Sequence, residues 1–170
     1  MSTTTNTTTT IQVKFNNHEA LSDFITLTTN NILPLKPTTK DKTPLPNFDL
    51  FVFEFIQRAN LPCAVFLFTL IYLVRLKSKL PKNAHGASDT PFRLFLAAVL
   101  TSSKYLLERG MSNISMALMT CQLYTAREIN HMERSFLRLL RYDLWVSVNE
   151  IHAFMNVYGE LIQADLSHAE

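Results

Sequence analysis

The chain has 170 residues, of which 47% are hydrophobic and 18% charged, so it is long enough for one domain with a sizeable core. Only three glycines are present, which argues against folds rich in tight β-turns and against glycine-rich phosphate-binding loops. The formal net charge is +2 and the basic residues are scattered, so the composition indicates no nucleic-acid groove.

Residues 1–46 are rich in Thr and Asn and carry several prolines. A Thr tract buries too little apolar area to offset its ordering entropy, so this segment is predicted to be a mostly disordered tail. Within it, residues 16–27 can form a short helix, because Leu21, Phe24 and Ile25 share one side. The N-terminus has neither the basic nor the apolar region of a secretory signal, and none is expected.

From residue 47 onward the apolar residues recur at helical spacing, segment after segment. Asn47 and Thr125 can cap helices, and Gly110 can end one. The predicted helices cover residues 47–60, 62–80, 91–109, 114–124, 125–144 and 149–166. The fold class is therefore all-α: a bundle of five helices over residues 47–146, with a C-terminal helix in 147–170 that packs on it.

The segment 61–74 is apolar and uncharged, which raises the question of a membrane span. It is only 14 residues long, whereas crossing a bilayer takes ~20. Charged residues follow at once, and Pro62 suits the first turn of a helix. We therefore predict a buried core helix here and no membrane partner.

The residues that carry most enzyme chemistry form no recognisable site. The five histidines lack the spacing of metal ligands, and no Ser or Cys has the context of an activated nucleophile. Cys63 and Cys121 lie in apolar surroundings and are predicted to be buried, reduced thiols. We expect no enzymatic activity, no metal and no cofactor.

Two charged residues interrupt apolar stripes. Lys104 lies in the stripe of the helix predicted over 91–109, and Glu133 lies in that of the helix predicted over 125–144. Either Lys104 extends to water or pairs with Glu133 inside the domain, or the two side chains emerge together on a surface and contact a partner through charge-assisted hydrogen bonds. Spacing alone leaves both interpretations open.

At these residues the sequence resembles the cyclin family. Residues 102–106 (SSKYL) resemble the end of the family's third helix, residues 128–146 resemble its fifth, and residues 55–81 resemble its first two. The similarity covers residues 48–146 and implies a single cyclin box, since too few residues follow for a complete second one. It is most like the fungal Pcl group, the cyclins of the kinase that governs phosphate signalling.

The resemblance implies a regulatory subunit without catalytic activity of its own. Such a subunit forms a heterodimer with a cyclin-dependent, proline-directed Ser/Thr kinase and holds the kinase C-helix in its active position. Lys104 and Glu133 would then contact the kinase, with Tyr105, Leu107 and Arg134 as candidate neighbours on spacing. The resemblance also implies an intracellular location, in the nucleus, the cytoplasm or both, and a role in the cell cycle or in phosphate signalling.

The alternative is a cyclin-fold adaptor in transcription that binds DNA or another protein. It would need a basic face, and Arg134, Arg138 and Arg141 form one row because they are three or four positions apart. Such a row is more typical of a solvated face or of the rim around an acidic partner, so no nucleic-acid partner is predicted.

Overall fold

The computed structural model describes residues 10–36 and 44–169. Within these residues the chain forms seven helices and two short strands. In chain order they are β1 Thr10–Phe15, α1 His18–Asn30, α2 Phe48–Ala59, α3 Cys63–Lys79, α4 Thr90–Leu106, α5 Asn113–Met119, α6 Ala126–Leu139, α7 Val148–Tyr158 and β2 Ala164–Ala169.

The predicted all-α architecture is confirmed, with α2 to α6 as the five-helix unit and α7 after it. Helix α3 is apolar on nearly all sides because other elements surround it: it packs against α4, α1 and β1. Helix α4 also packs against α6, so α4 lies between α3 and α6. In the part of the chain that the structure describes, none of the helices is both long enough and apolar enough to cross a membrane.

Helix α1 lies inside the segment that the composition predicts to be mostly disordered. Asn17 caps it, since the Asn17 side chain accepts from the backbone N–H groups of Glu19 and Ala20. Leu21 and Ile25 are buried against the neighbouring helices, and this packing orders a segment whose polar composition disfavours structure. Strand β1 lies in the same predicted tail, of which residues 1–9 and 37–43 are outside the described residues.

The C-terminal helix ends earlier than predicted, at Tyr158, and the chain returns as strand β2. Residues 164–167 alternate between half-buried and exposed, which is the period of a strand rather than of a helix. Strand β2 pairs antiparallel with β1, from Thr10 opposite Ala169 to Phe15 opposite Ala164. The two ends of the described chain therefore form one small sheet against α3.

Three helices of the unit also end sooner than the apolar pattern predicts, at Leu106, Met119 and Leu139. Left-handed backbone follows two of these ends, at Cys121 and Gln122 after α5 and at Arg141 and Tyr142 after α6, and it stops the helix. The turn after α5 exposes Cys121, so the prediction of a buried thiol is wrong there, whereas Cys63 is half-buried. Both thiols are free.

Candidate partner-binding site

The fold brings Lys104 and Glu133 together. Lys104 lies in the last turn of α4, and its Nζ atom is 2.7 Å from Oε1 and 2.9 Å from Oε2 of Glu133 on α6. The lysine side chain is 39% exposed and the glutamate side chain 15% exposed. The two apolar stripes thus meet at the domain surface, where the charged groups pair with each other and still face solvent.

Two asparagines complete this group. The Asn113 side chain accepts from Lys104 Nζ at 2.5 Å and donates to Glu133 Oε2 at 3.0 Å. It also donates to Asn130 Oδ1 on α6. No pattern in the sequence marks either asparagine, because Asn113 begins a short helix and Asn130 is one polar residue among several on α6. Their role follows only from the proximity of three helices.

The end of α4 sets the position of Lys104. A Cβ atom on Gly110 would lie 2.6 Å from Lys104 Cα and 2.9 Å from its backbone nitrogen, so the chain returns directly against the last helical turn. Gly110 does not have a positive φ, so its value lies in this close approach and not in a left-handed cap. Ser103 Oγ then accepts from the backbone N–H of Met111 at 2.7 Å, which directs the chain into α5 beside Lys104.

The predicted neighbours of the pair differ in exposure. Tyr105 and Arg134 are exposed, whereas Leu107 is half-buried and packs against the core. The structure adds two apolar side chains that sequence reasoning did not select, Ile114 and Leu118, which are 67% and 64% exposed on the outward side of α5. The sequence does indicate this exposure, because most residues of this short helix are apolar and one buried side cannot accommodate all of them.

The hydrogen-bonding capacity of the group suits recognition. Lys104 has three N–H donors, and the contacts to Glu133 and Asn113 occupy them. The Glu133 carboxylate has about four acceptor positions. It accepts two hydrogen bonds from Lys104 and one from Asn113, so it can accept a further N–H from a partner. Within residues 10–36 and 44–169, no group of three or more His, Cys, Asp or Glu side chains is arranged to hold a metal ion.

A second charged cluster fixes the segment between α6 and α7. Arg75 on α3 donates to the backbone oxygens of Asp143 at 2.6 Å and Trp145 at 3.0 Å, and to Glu150 Oε1 at 2.6 Å. Lys79 donates to the Asp143 carboxylate at 2.9 Å. This hydrogen bond, with the nearby charge of Arg75, holds the pKa of Asp143 below its ordinary value. The cluster anchors the chain after α6 to the core helix α3.

Residues 17–145 match the family described as "Cyclin, N-terminal domain", which is about three quarters of the chain, so the chain belongs to the cyclin family. The match begins before the predicted boundary at residue 47 and therefore includes α1. Within the family, the chain is similar to PHO85 cyclin-1 of Saccharomyces cerevisiae, with 31% identity over 154 residues. That alignment covers 86% of this chain and 55% of the relative.

Two further relatives come from the same yeast. PHO85 cyclin-2 is 27% identical over 145 residues, covering 82% of this chain and 47% of the relative. PHO85 cyclin-9 is 28% identical over 106 residues, covering 62% of this chain and 35% of the relative. The chain thus spans about half the length of the first two relatives, and the predicted similarity to the Pcl group is confirmed. A comparison with solved structures finds no significant match.

Proposed function

We propose that this cyclin is the regulatory subunit of a cyclin-dependent Ser/Thr protein kinase, which it binds as a heterodimer. Membership of the cyclin family supports this role, as do three relatives that are each named as a cyclin of PHO85. The observation that carries the proposal is the ion pair of Lys104 and Glu133, which two helices and an asparagine hold at the domain surface.

The proposed mechanism is activation by binding. A free kinase samples inactive positions of its C-helix, and a partner that binds only the active position shifts the population. Changing a 1:99 mixture into 99:1 takes ~5.5 kcal/mol of differential affinity. A surface ion pair contributes only about 0–1 kcal/mol, so apolar contacts must supply most of the difference.

The exposed side chains near the pair can provide such contacts. At ~25 cal/mol per Å², 5.5 kcal/mol corresponds to roughly 220 Å² of apolar surface, before the costs of association are counted. Tyr105, Ile114 and Leu118 are exposed apolar or aromatic residues on α4 and α5, the helices that supply Lys104 and Asn113. We call the following residues the kinase-facing surface: Lys104, Tyr105, Leu107, Asn113, Ile114, Leu118, Asn130, Glu133 and Arg134.

In this proposal the chemistry belongs to the kinase, and the cyclin supplies no catalytic residue. The cyclin would act inside the cell, in the nucleus, the cytoplasm or both, wherever the kinase is. Glu133 accepts an N–H group from the kinase, while Lys104, which is the more exposed of the pair, exchanges one of its contacts within the cyclin for a carbonyl or carboxylate of the kinase. Both contacts depend on the sign of each charge and not only on the existence of the pair.

A charge exchange tests this dependence. The double variant Lys104→Glu with Glu133→Lys keeps an ion pair within the cyclin but presents inverted charges to a partner. We expect near-normal thermal stability and at least a tenfold loss of affinity for the PHO85 kinase of Saccharomyces cerevisiae, about 1.4 kcal/mol, by biolayer interferometry. Kinase activity toward a peptide substrate should fall in parallel.

The matched control is Lys82→Glu, which reverses an exposed lysine in the connection between α3 and α4. It should bind the kinase within about twofold of the original chain, because it lies outside the kinase-facing surface. Full binding by the charge-exchanged variant would mean that the pair only stabilises the fold. If the unmodified chain neither binds nor activates any cyclin-dependent kinase, the proposed function itself is wrong.

A further inference from the structure

The outward side of α6 carries a row of arginines. Arg127, Arg134 and Arg138 are seven and four positions apart, so they lie on one side of the helix, and Arg141 follows its end. In the described part of the chain, no carboxylate forms an ion pair with any of the four. Arg134 donates only to the backbone oxygen of Asn130, at 3.4 Å. The row is therefore a run of positive charge without an acidic partner in the fold.

A groove runs beside this row, between α4 and α6. Its volume is about 220 Å³, and its apolar wall includes Leu94, Ala97 and Leu139. His131 and Ser135 also line it; His131 is four positions after Arg127, and Ser135 is three before Arg138. The two arginines are thus helical neighbours of groove residues.

The groove lies on a different side of α6 from Glu133. Ser135 follows Glu133 by two positions, which is about 200° around a helix. Leu139, at the end of the groove, is 43% exposed although it adjoins the apolar wall. An occupant of the groove would therefore cover an exposed leucine without displacing a kinase from Lys104 and Glu133.

We propose that the groove, with Arg127 and Arg138 at its rim, binds an acidic segment of a partner protein in an extended conformation. One apolar side chain of that segment enters the groove, and its flanking carboxylates pair with the two arginines. Arg127 and Arg138 are about 16 Å apart along the helix axis, which matches about five extended residues. A nucleic acid offers negative charge as well, but it has no aliphatic side chain for the apolar wall.

Fluorescence anisotropy with defined peptides tests the proposal on the full chain. The probe is a labelled peptide with the core Glu-Glu-Leu-Glu-Glu; the comparison peptides replace Leu by Ser or each Glu by Lys. We expect saturable binding of the probe, at least fivefold weaker binding of the Ser peptide and none of the Lys peptide. A single-stranded oligonucleotide that binds more tightly than the probe at the same salt concentration would overturn the proposal.

Variants of the chain separate a built site from unspecific attraction. The double variant Arg127→Glu with Arg138→Glu should lower probe affinity at least tenfold, and Leu139→Asn at least fivefold. The matched control, Lys77→Glu with Lys82→Glu, changes the net charge equally at exposed lysines elsewhere and should change affinity less than twofold. An equal loss in the control, or no loss with Leu139→Asn, would refute the proposal. Circular dichroism checks that all variants are folded.

The proposal does not rest on the proposed function. The Leu139→Asn variant should bind the kinase normally, because Leu139 lines the groove and lies outside the kinase-facing surface, whereas Arg127 and Arg138 share a side of α6 with Arg134. If this variant lost kinase binding together with probe binding, the two surfaces would not be independent and the assignment of a separate acidic partner would be wrong.

Discussion

Lys104 and Glu133 lie 29 positions apart in the chain, and the lysine Nζ atom contacts both oxygens of the glutamate carboxylate. They belong to α4 and α6, which pack on each other, so the pair forms only when these helices have docked. Its geometry is consequently a property of the folded domain and cannot exist in either helix alone. Substitutions at four positions test this pair and the stability of the fold around it.

Asn113→Ala should loosen the pair without unfolding the domain. The variant removes the amide that joins Lys104 and Glu133, so we expect a loss of at most about 1 kcal/mol in unfolding free energy. Kinase affinity should fall severalfold because Lys104 gains rotational freedom. Urea denaturation and interferometry measure the two effects, with the exposed Asn156→Ala as control. Unchanged kinase affinity would show that the asparagine does not position the pair for a partner.

Arg75→Met should destabilise the domain by about 2 kcal/mol. The Arg75 side chain is only 12% exposed, and its loss leaves two backbone oxygens and the Glu150 carboxylate without their donor. Guanidinium denaturation gives the free energy, and Lys77→Ala, an exposed lysine two positions on, should have almost no effect. If the two variants are equally stable, the segment between α6 and α7 is held by its apolar contacts instead.

Glu128 should make the stability of α6 depend on acidic pH. The backbone hydrogen bond from Thr125 lowers the pKa of the Glu128 carboxyl from its ordinary value of 4.5. Because the folded-state pKa is the lower one, the contribution is complete above pH 4.5 and is lost as the pH falls through the folded-state pKa.

The variant Glu128→Gln should therefore be less stable than the original chain near neutral pH, and the two should converge once the pH has fallen below the folded-state pKa of Glu128. The Gln side chain can still accept from Thr125, so the difference isolates the charge at the helix start. Urea denaturation across the pH range measures it. A gap of constant size at every pH would argue against any contribution from the titration of this carboxyl.

Thr101→Val should stabilise the domain by about 1 kcal/mol. Thr101 Oγ1 is buried and has no hydrogen-bond partner among the described residues, so the change removes an unsatisfied polar atom at nearly constant volume. Thr69→Val provides the contrast, because Thr69 Oγ1 donates to the backbone oxygen of Val65 at 2.8 Å and its removal gains nothing. Calorimetry should rank Thr101→Val above the original chain and Thr69→Val at or below it; the reverse order would contradict the assignment.

The sequence was informative where a residue breaks a periodic pattern. Apolar periodicity predicted the order of the helices, and the two intruding charges raised the possibility that Lys104 and Glu133 pair, which they do. Periodicity cannot predict Asn113 or the Arg75 cluster, because their partners come from distant segments and leave no local trace. The role predicted for Gly110 also differs from the observed one. A glycine after a helix suggests a cap, whereas here a glycine is needed because the backbone passes directly against the backbone of Lys104.

The antiparallel register of β1 and β2 determines how the domain would respond to mechanical load. Thr10 and Ala169 are opposite each other at the open end of the sheet. Tension applied between these two positions would break the inter-strand bonds one after another, in unzipping geometry, rather than all at once in shear. The small sheet would yield first, and the helices that carry the kinase-facing surface would be loaded only after it had opened.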